Sequence, residues 1–161
     1  VNGFRAPGAV EAVAASDVAL CVMHMRGEPR TMQQNPDYDD VVEDVRRFLS
    51  ERVDELRAAG VADARIVLDP GFGFGKSLEH NLALLRRVDR FVASGFGVLV
   101  GMSRKSMLGT ITGRPVGERV AAGLAAALIA VEAGARIVRT HDVAATRDAL
   151  AVWNAVRGKV W

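Results

Sequence analysis

The chain has 161 residues, 50% of them hydrophobic, and 21 Lys and Arg against 19 Asp and Glu leave a formal net charge of +2. That balance excludes a disordered tail or a collagen-like fibre, and the length points to one domain with a sizeable core. The isoelectric point of about 9.1 reflects a two-charge excess in a mixed pattern, without the Lys/Arg run that marks a nucleic-acid partner.

The elements follow in order. A short helix is expected from Pro7, a favoured first-turn residue, to about Ala15. The first strand is Val18-Ala19-Leu20-Cys21-Val22-Met23. Val41, Val45, Phe48, Leu49, Val53 and Leu56 then repeat at helical steps, and Gly60 sits where a C-cap belongs. The second strand covers Arg65 to Leu68, followed by a helical stripe of Leu82, Leu85, Val88 and Val92. The third strand is Gly97 to Gly101, and Val120, Leu124, Leu128 and Val131 give the next helix, with Gly134 as its C-cap. The fourth strand is Arg136 to Arg139, and Ala149, Trp153 and Val156 mark a last helix. The strand runs are short, β-branched and bounded by Gly or Pro, as in a parallel sheet buried on both faces. A helix followed by four strand–helix units predicts an α/β fold with right-handed crossovers. The spacing is that of a (β/α) barrel, which needs about 250 residues when complete. Four units are half of one, and an open doubly wound sheet is the competing architecture.

The apolar stretch from Val120 to Val131 contains Gly123 and is shorter than the roughly 20 residues of a bilayer span, so no membrane partner is expected. The opening Val1-Asn2-Gly3-Phe4-Arg5 does not read as a signal peptide, and the missing initiator Met fits a processed chain or a piece of a longer one. Cys21 is the single cysteine, so a reducing, cytoplasmic setting is expected. Mid-strand, it reads as a small apolar residue rather than a nucleophile.

Polar residues gather where the strands end. Strand one runs into Met23-His24-Met25-Arg26-Gly27, and strand two into Asp69-Pro70-Gly71-Phe72-Gly73-Phe74-Gly75-Lys76. Strand three runs into Met102-Ser103-Arg104-Lys105-Ser106, and strand four into Arg139-Thr140-His141-Asp142. All four clusters therefore meet at the carboxyl rim, where parallel α/β folds carry their sites. Asp69 is either a loop-capping carboxylate or an acceptor for two adjacent N–H donors on a heterocycle. The glycine loop fails the Walker pattern, since Pro70 stands where its first Gly belongs. It also fails the dinucleotide fingerprint, whose third Gly is replaced by Lys76. What remains is a sharply bending loop in which one of Phe72 and Phe74 packs down and the other is free to stack on an aromatic substrate. Lys105 suits carbonyl or ring-nitrogen acceptors, whereas Arg104 reads equally as an ion-pair residue. Period two places Arg139 and His141 on one side, able to grip one anion, although His141 alone also reads as a capping or core histidine. The scattered histidines and single cysteine make no zinc set.

Together these motifs resemble the bacterial dihydropteroate synthase family. The resemblance rests on Asp69 to Lys76, Gly101 to Ser106 and Arg139 to Val143. Val22 to Met25, with Gly27, Pro29 and Thr31 to Gln33, agrees too, as does Tyr38-Asp39-Asp40-Val41. It covers essentially the whole chain and implies residues 1–161 of a single pterin-binding (β/α)8 TIM barrel, roughly its C-terminal half. Aligning Phe4 and Pro7-Gly8-Ala9 makes Val1 the Val of the family's Asn-Asp-Val motif, which puts the pterin-binding Asn upstream and rejects Asn2 as its substitute. The resemblance implies condensation of 6-hydroxymethyl-7,8-dihydropterin pyrophosphate with p-aminobenzoate, giving 7,8-dihydropteroate and pyrophosphate in folate biosynthesis. It implies that Asp69 binds the amino-pyrimidine edge, Lys105 the ring carbonyl and nitrogen side, and that Met23 lines the pterin slot. Arg139 and His141 would hold the pyrophosphate, and Phe74, Ser103 and Arg104 would border the p-aminobenzoate side, where sulfonamides compete. Gly101 and Thr140 complete the substrate-binding set. A magnesium ion with ligands outside this chain and a homodimer are implied too, and the chain alone is expected to be inactive. A related pterin-binding methyltransferase barrel, or an inactive ligand-binding fragment, is the alternative.

Overall fold

Four short apolar runs form four parallel strands among the described residues: β1 Leu20–Met23, β2 Ile66–Asp69, β3 Gly97–Val100 and β4 Ile137–Val138. This computed structural model describes residues 2–34 and 36–158. Val1, matched above to the family's Asn-Asp-Val motif, lies outside them, as does the side chain of Asn2. The strands lie in chain order, with Leu20 opposite Ile66, Val67 opposite Gly97 and Leu99 opposite Ile137. A doubly wound sheet reverses its order at a switch point. This sheet does not, so the arc is that of half a (β/α)8 barrel.

Leu20, Val22, Ile66, Leu68, Val98 and Val100 are buried in one core with the helices. The alternate residues Cys21, Val67 and Leu99 are only partly buried, and Ile137 is exposed. Burial on both faces, expected from the sequence, is therefore complete on the helix side, whereas on the other face it is reached only at the rim, by Met23 and Asp69. The other face is the one that a closed barrel fills with inward side chains.

The helices are α1 Ala9–Ala14, α2 Val41–Ala58, α3 Leu78–Arg86, α4 Val88–Val92, α5 Ser106–Thr112, α6 Val120–Glu132 and α7 Val143–Arg157. α2 starts where Asp40 accepts the Val42 and Glu43 N–H groups at 2.9 and 3.2 Å. It ends as the chain passes through Gly60 at φ 87°, with Val61 N–H returning to the Leu56 carbonyl at 3.0 Å. α6 ends the same way through Gly134, with Ala135 N–H on the Ala130 carbonyl at 2.9 Å. Both are the left-handed C-caps expected of these glycines. Asp40→Ala removes the acceptor for two otherwise orphaned donors and is expected to cost ~1 kcal/mol in a urea melt. An unchanged midpoint would show that water satisfies those donors equally well.

Four details differ from the sequence reading. The stripe from Leu82 to Val92 is two helices, because Arg87 leaves helical geometry at φ −122°, ψ 31°. That turn puts Leu84, Leu85, Val88 and Phe91 in the core and leaves Leu82 and Val92 partly covered. α6 faces the core with Ala126, Ala127, Ala130 and Val131 rather than with its leucines. α7 buries Thr146 and Leu150, while Val156 is 78% exposed. α5 has no counterpart in the apolar periodicity, being seven residues long with Gly109 in its middle.

Candidate active site at the carboxyl rim

Asp69 is the last residue of β2, opposite Met23, and its carboxylate is fully buried. A buried charge needs partners. Its Oδ1 accepts the Gly71 N–H at 2.8 Å, and its Oδ2 accepts Nη2 of Arg139 at 3.1 Å. Arg139 follows β4, with its N–H on the Val100 carbonyl at 2.9 Å. Its side chain crosses Gly101 so closely that a Cβ there would lie 2.7 Å from Nη2. Gly101 is thus the gap through which the arginine reaches Asp69.

The glycine loop after Asp69 is bent as expected, with φ of 73°, 77° and 64° at Gly71, Gly73 and Gly75. Phe72 is the aromatic that packs down, wholly buried, and Phe74 stays partly exposed. The Lys105 ammonium lies 4.6 Å from the Phe74 ring centroid and donates to the Phe72 carbonyl. Burial, opposed by Asp69 and aided by Arg139, pulls the Lys105 pKa down to about 8. Met23, Gly101, Asp69, Lys105, Phe74 and Arg139 thus form one inner group.

Ser103, Arg104, Thr140, His141 and Asp142 form an outer group. Oγ of Ser103 meets the His141 N–H at 3.2 Å and its Nδ1 at 3.1 Å. Arg104 holds Asp142 through two bonds, 2.6 and 3.2 Å, which keep that carboxyl below its ordinary range. Thr140 Oγ1 accepts the Asp142 N–H at 3.1 Å at the start of α7. Arg139 and His141 do not share a partner: the first turns to Asp69, the second to Ser103. β4 ends at Val138, so strand alternation does not govern these two residues.

Arg104 has φ 60°, a left-handed conformation that costs a non-glycine residue roughly 1–2 kcal/mol. Arg119 secures it by donating Nη1 to the carbonyls of Arg104 and Lys105 at 3.0 and 3.3 Å. Its guanidinium lies over Gly109, where a Cβ would come within 2.2 Å of it. Sequence reasoning missed this brace, and it missed the burial of Lys76 and His24. Lys76 is 3% exposed and donates to the Gly71 and Phe74 carbonyls at 2.9 and 3.0 Å, with Nδ1 of His24 at 2.8 Å. The sequence marks Lys76 only as the end of the glycine loop, with no sign of its burial.

Burial, then the Lys76 charge, lowers the His24 pKa from 6.5 to about 3, and burial lowers Lys76 from 10.5 to about 7. Both bases hold their protons less tightly folded than unfolded. Between the folded and unfolded values the unfolded chain binds more protons, so stability rises with pH. The expected urea midpoint climbs from about pH 3 to 6.5 through His24, and from about pH 7 to 10.5 through Lys76. A midpoint flat across the acid window would contradict the buried histidine.

The model of the pterin binding enzyme family matches residues 1–141. The chain belongs to the pterin-binding enzyme family. Among members of that family, the dihydropteroate synthase of Neisseria meningitidis serogroup B is 54% identical over 161 residues, 97% of this chain and 56% of the relative. The crystal structure of Yersinia pestis dihydropteroate synthase with a sulfonamide drug complex superposes with a TM-score of 0.95 at 42% identity, covering 98% of this chain and 57% of that one. The Xanthomonas albilineans dihydropteroate synthase in complex with 7,8-dihydropteroate gives a TM-score of 0.91 at 46% identity, covering 98% and 59%. The chain therefore spans a little over half the length of the pterin-binding relatives it matches.

Proposed function

We propose that this chain is the C-terminal part of a dihydropteroate synthase, a transferase joining 6-hydroxymethyl-7,8-dihydropterin pyrophosphate to p-aminobenzoate. The observation that carries the reading is the convergence of Asp69, Lys105 and Arg139, from the ends of β2, β3 and β4, on one rim. Asp69 retains lone pairs beyond its present bonds and takes the paired N–H donors of the amino-pyrimidine edge. Lys105 faces the ring carbonyl and nitrogen, with Met23 lining the slot and Gly101 leaving room for Arg139. Phe74, Ser103 and Arg104 border the p-aminobenzoate, and Thr140 supports their rim.

The reaction breaks the bond between the pterin methylene carbon and the pyrophosphate oxygen, and the electron pair leaves with pyrophosphate. Arg139 and His141, on turning from Asp69 and Ser103, stabilise that growing negative charge. The Asp69 carboxylate steadies the electron-poor pterin. The arylamine nitrogen then forms the new C–N bond and releases its proton to water. The resemblance implies magnesium, but among the described residues no group of three or more His, Cys, Asp or Glu is placed to hold a metal ion. No step here runs through one, and its ligands are expected outside this chain.

Sulfonamides are expected to compete with p-aminobenzoate, in keeping with the drug complex of the Yersinia relative. Ile129, Val152 and Val156, exposed on α6 and α7, support a homodimer. The single cysteine supports a cytoplasmic setting. Among the described residues no helix is long and apolar enough to cross a membrane. The test is pyrophosphate release by the full-length protein, supplied with the pterin pyrophosphate and with or without p-aminobenzoate. Release that depends on p-aminobenzoate is expected. Pterin binding without release would favour a methyltransferase-like barrel instead.

A further inference from the structure

Lys76 and His24 are the most deeply buried bases at the rim, and the reaction outlined above uses neither. An ammonium has three protons to donate. As an ammonium, Lys76 finds a partner for all three protons in Nδ1 of His24 and the carbonyls of Gly71 and Phe74, so no donor is left for a ligand. In this arrangement Nδ1 of His24 accepts, and its proton sits on the other ring nitrogen. The ring is held edge-on to Phe48, centroids 4.8 Å apart.

The two carbonyls that Lys76 draws inward are the ends of the turn that shapes the site. Gly71 also gives its N–H to Asp69. Phe72, inside the turn, receives the Lys105 ammonium, and the Phe74 ring lies beneath that same ammonium. Gly73 is pinned from the far side by Oδ1 of Asn81 at 2.7 Å. One buried side chain thus bridges the two ends of the backbone turn that lies between the acidic and the basic group of the site.

We propose that Lys76, held by His24, is a positioning residue that fixes Asp69 and Lys105 for pterin binding by tying the two ends of the 71–74 turn together. The role at the pterin rests on the function proposed above, whereas the tying of the turn does not.

The test uses the full-length protein, 6-hydroxymethylpterin as the binding probe, and amide hydrogen exchange at Gly71 and Gly73. Lys76→Met is expected to weaken pterin binding about 10- to 100-fold, the range for losing hydrogen bonds from a charged group, and to speed exchange at both amides. His24→Phe keeps a ring against Phe48 but removes the acceptor, and is expected to follow Lys76→Met. His24→Asn loses the ring but keeps an acceptor near Nδ1, and is expected to stay within about threefold of the parent. The reverse order, with Phe tolerated and Asn damaging, would mean that His24 only packs, and would overturn the proposal. If Lys76→Met does not fold, the two His24 variants decide. If the parent protein binds no pterin, the functional reading fails and exchange still decides the turn. Faster exchange on Lys76→Met sustains the positioning role, and unchanged exchange ends it.

Discussion

Gly71→Ala is expected to be among the most damaging single-methyl changes in the chain. The residue sits at φ 73°, where any L side chain is strained. The added Cβ would fall 1.8 Å from the His24 carbonyl oxygen, an overlap with backbone rather than with a movable side-chain end. That carbonyl belongs to a segment already tied to β2, through the His24 N–H on the Asp69 carbonyl at 3.0 Å. Relief requires β1 and the glycine loop to separate, which also breaks the Gly71 bond to Asp69 and the Lys76 bond to Gly71. Strain and lost buried hydrogen bonds together suggest a loss of about 3–5 kcal/mol, read as a fall in the urea midpoint. Gly60→Ala is the matching control: φ is 87° but no atom lies within 4 Å of the added Cβ, so only the conformational cost of about 1 kcal/mol applies. Equal losses at the two positions would show that the contact with His24 is not the cause.

Asp69→Asn is expected to remove most pterin affinity while leaving the fold largely intact. The amide keeps one oxygen for the Gly71 N–H, but its NH2 then meets the Arg139 guanidinium, donor against donor. Arg139 is about half exposed and can turn to water, so stability falls little. A ligand offering two N–H groups finds one acceptor where there were two. Truncating a buried, charge-assisted contact of this kind costs about 2–5 kcal/mol, or roughly 30-fold to several-thousandfold in affinity. Titration of the full-length protein with 6-hydroxymethylpterin checks it. Affinity within a factor of about two of the parent would remove Asp69 from the pterin contacts.

The strands were legible because each is a short apolar run closed by a polar residue or a glycine. His24, Asp69, Gly101 and Arg139 mark those ends, and the rim follows from them. The C-cap glycines at 60 and 134 were legible for the same local reason. Features that depend on distant partners were not. Arg139 meets Asp69 across 70 positions of sequence, and no periodicity records that bond. Nothing in a glycine loop marks its lysine as buried, and only the return of residue 24 to residue 76 makes it so. The alanine face of α6 was hidden behind the larger Leu124 and Leu128, because size in sequence says nothing of which side a neighbour approaches. α5 was silent since Gly109 interrupts its apolar residues, and the reason for that glycine lies outside the helix.

Arg119 supplies that reason, and it constrains how this rim can evolve. A methyl group at position 109 would displace the guanidinium that braces Arg104 and Lys105. A shorter residue at position 119 would free the space but abandon the brace. The two positions therefore cannot drift one at a time: each single replacement meets a penalty that the other, made first, would have cancelled in part. In a double-mutant cycle, Gly109→Ala and Arg119→Ala should cost less together than the sum of their separate losses. Substitutions in the Ser103 to Ser106 loop would be accepted or rejected according to what already occupies that pair.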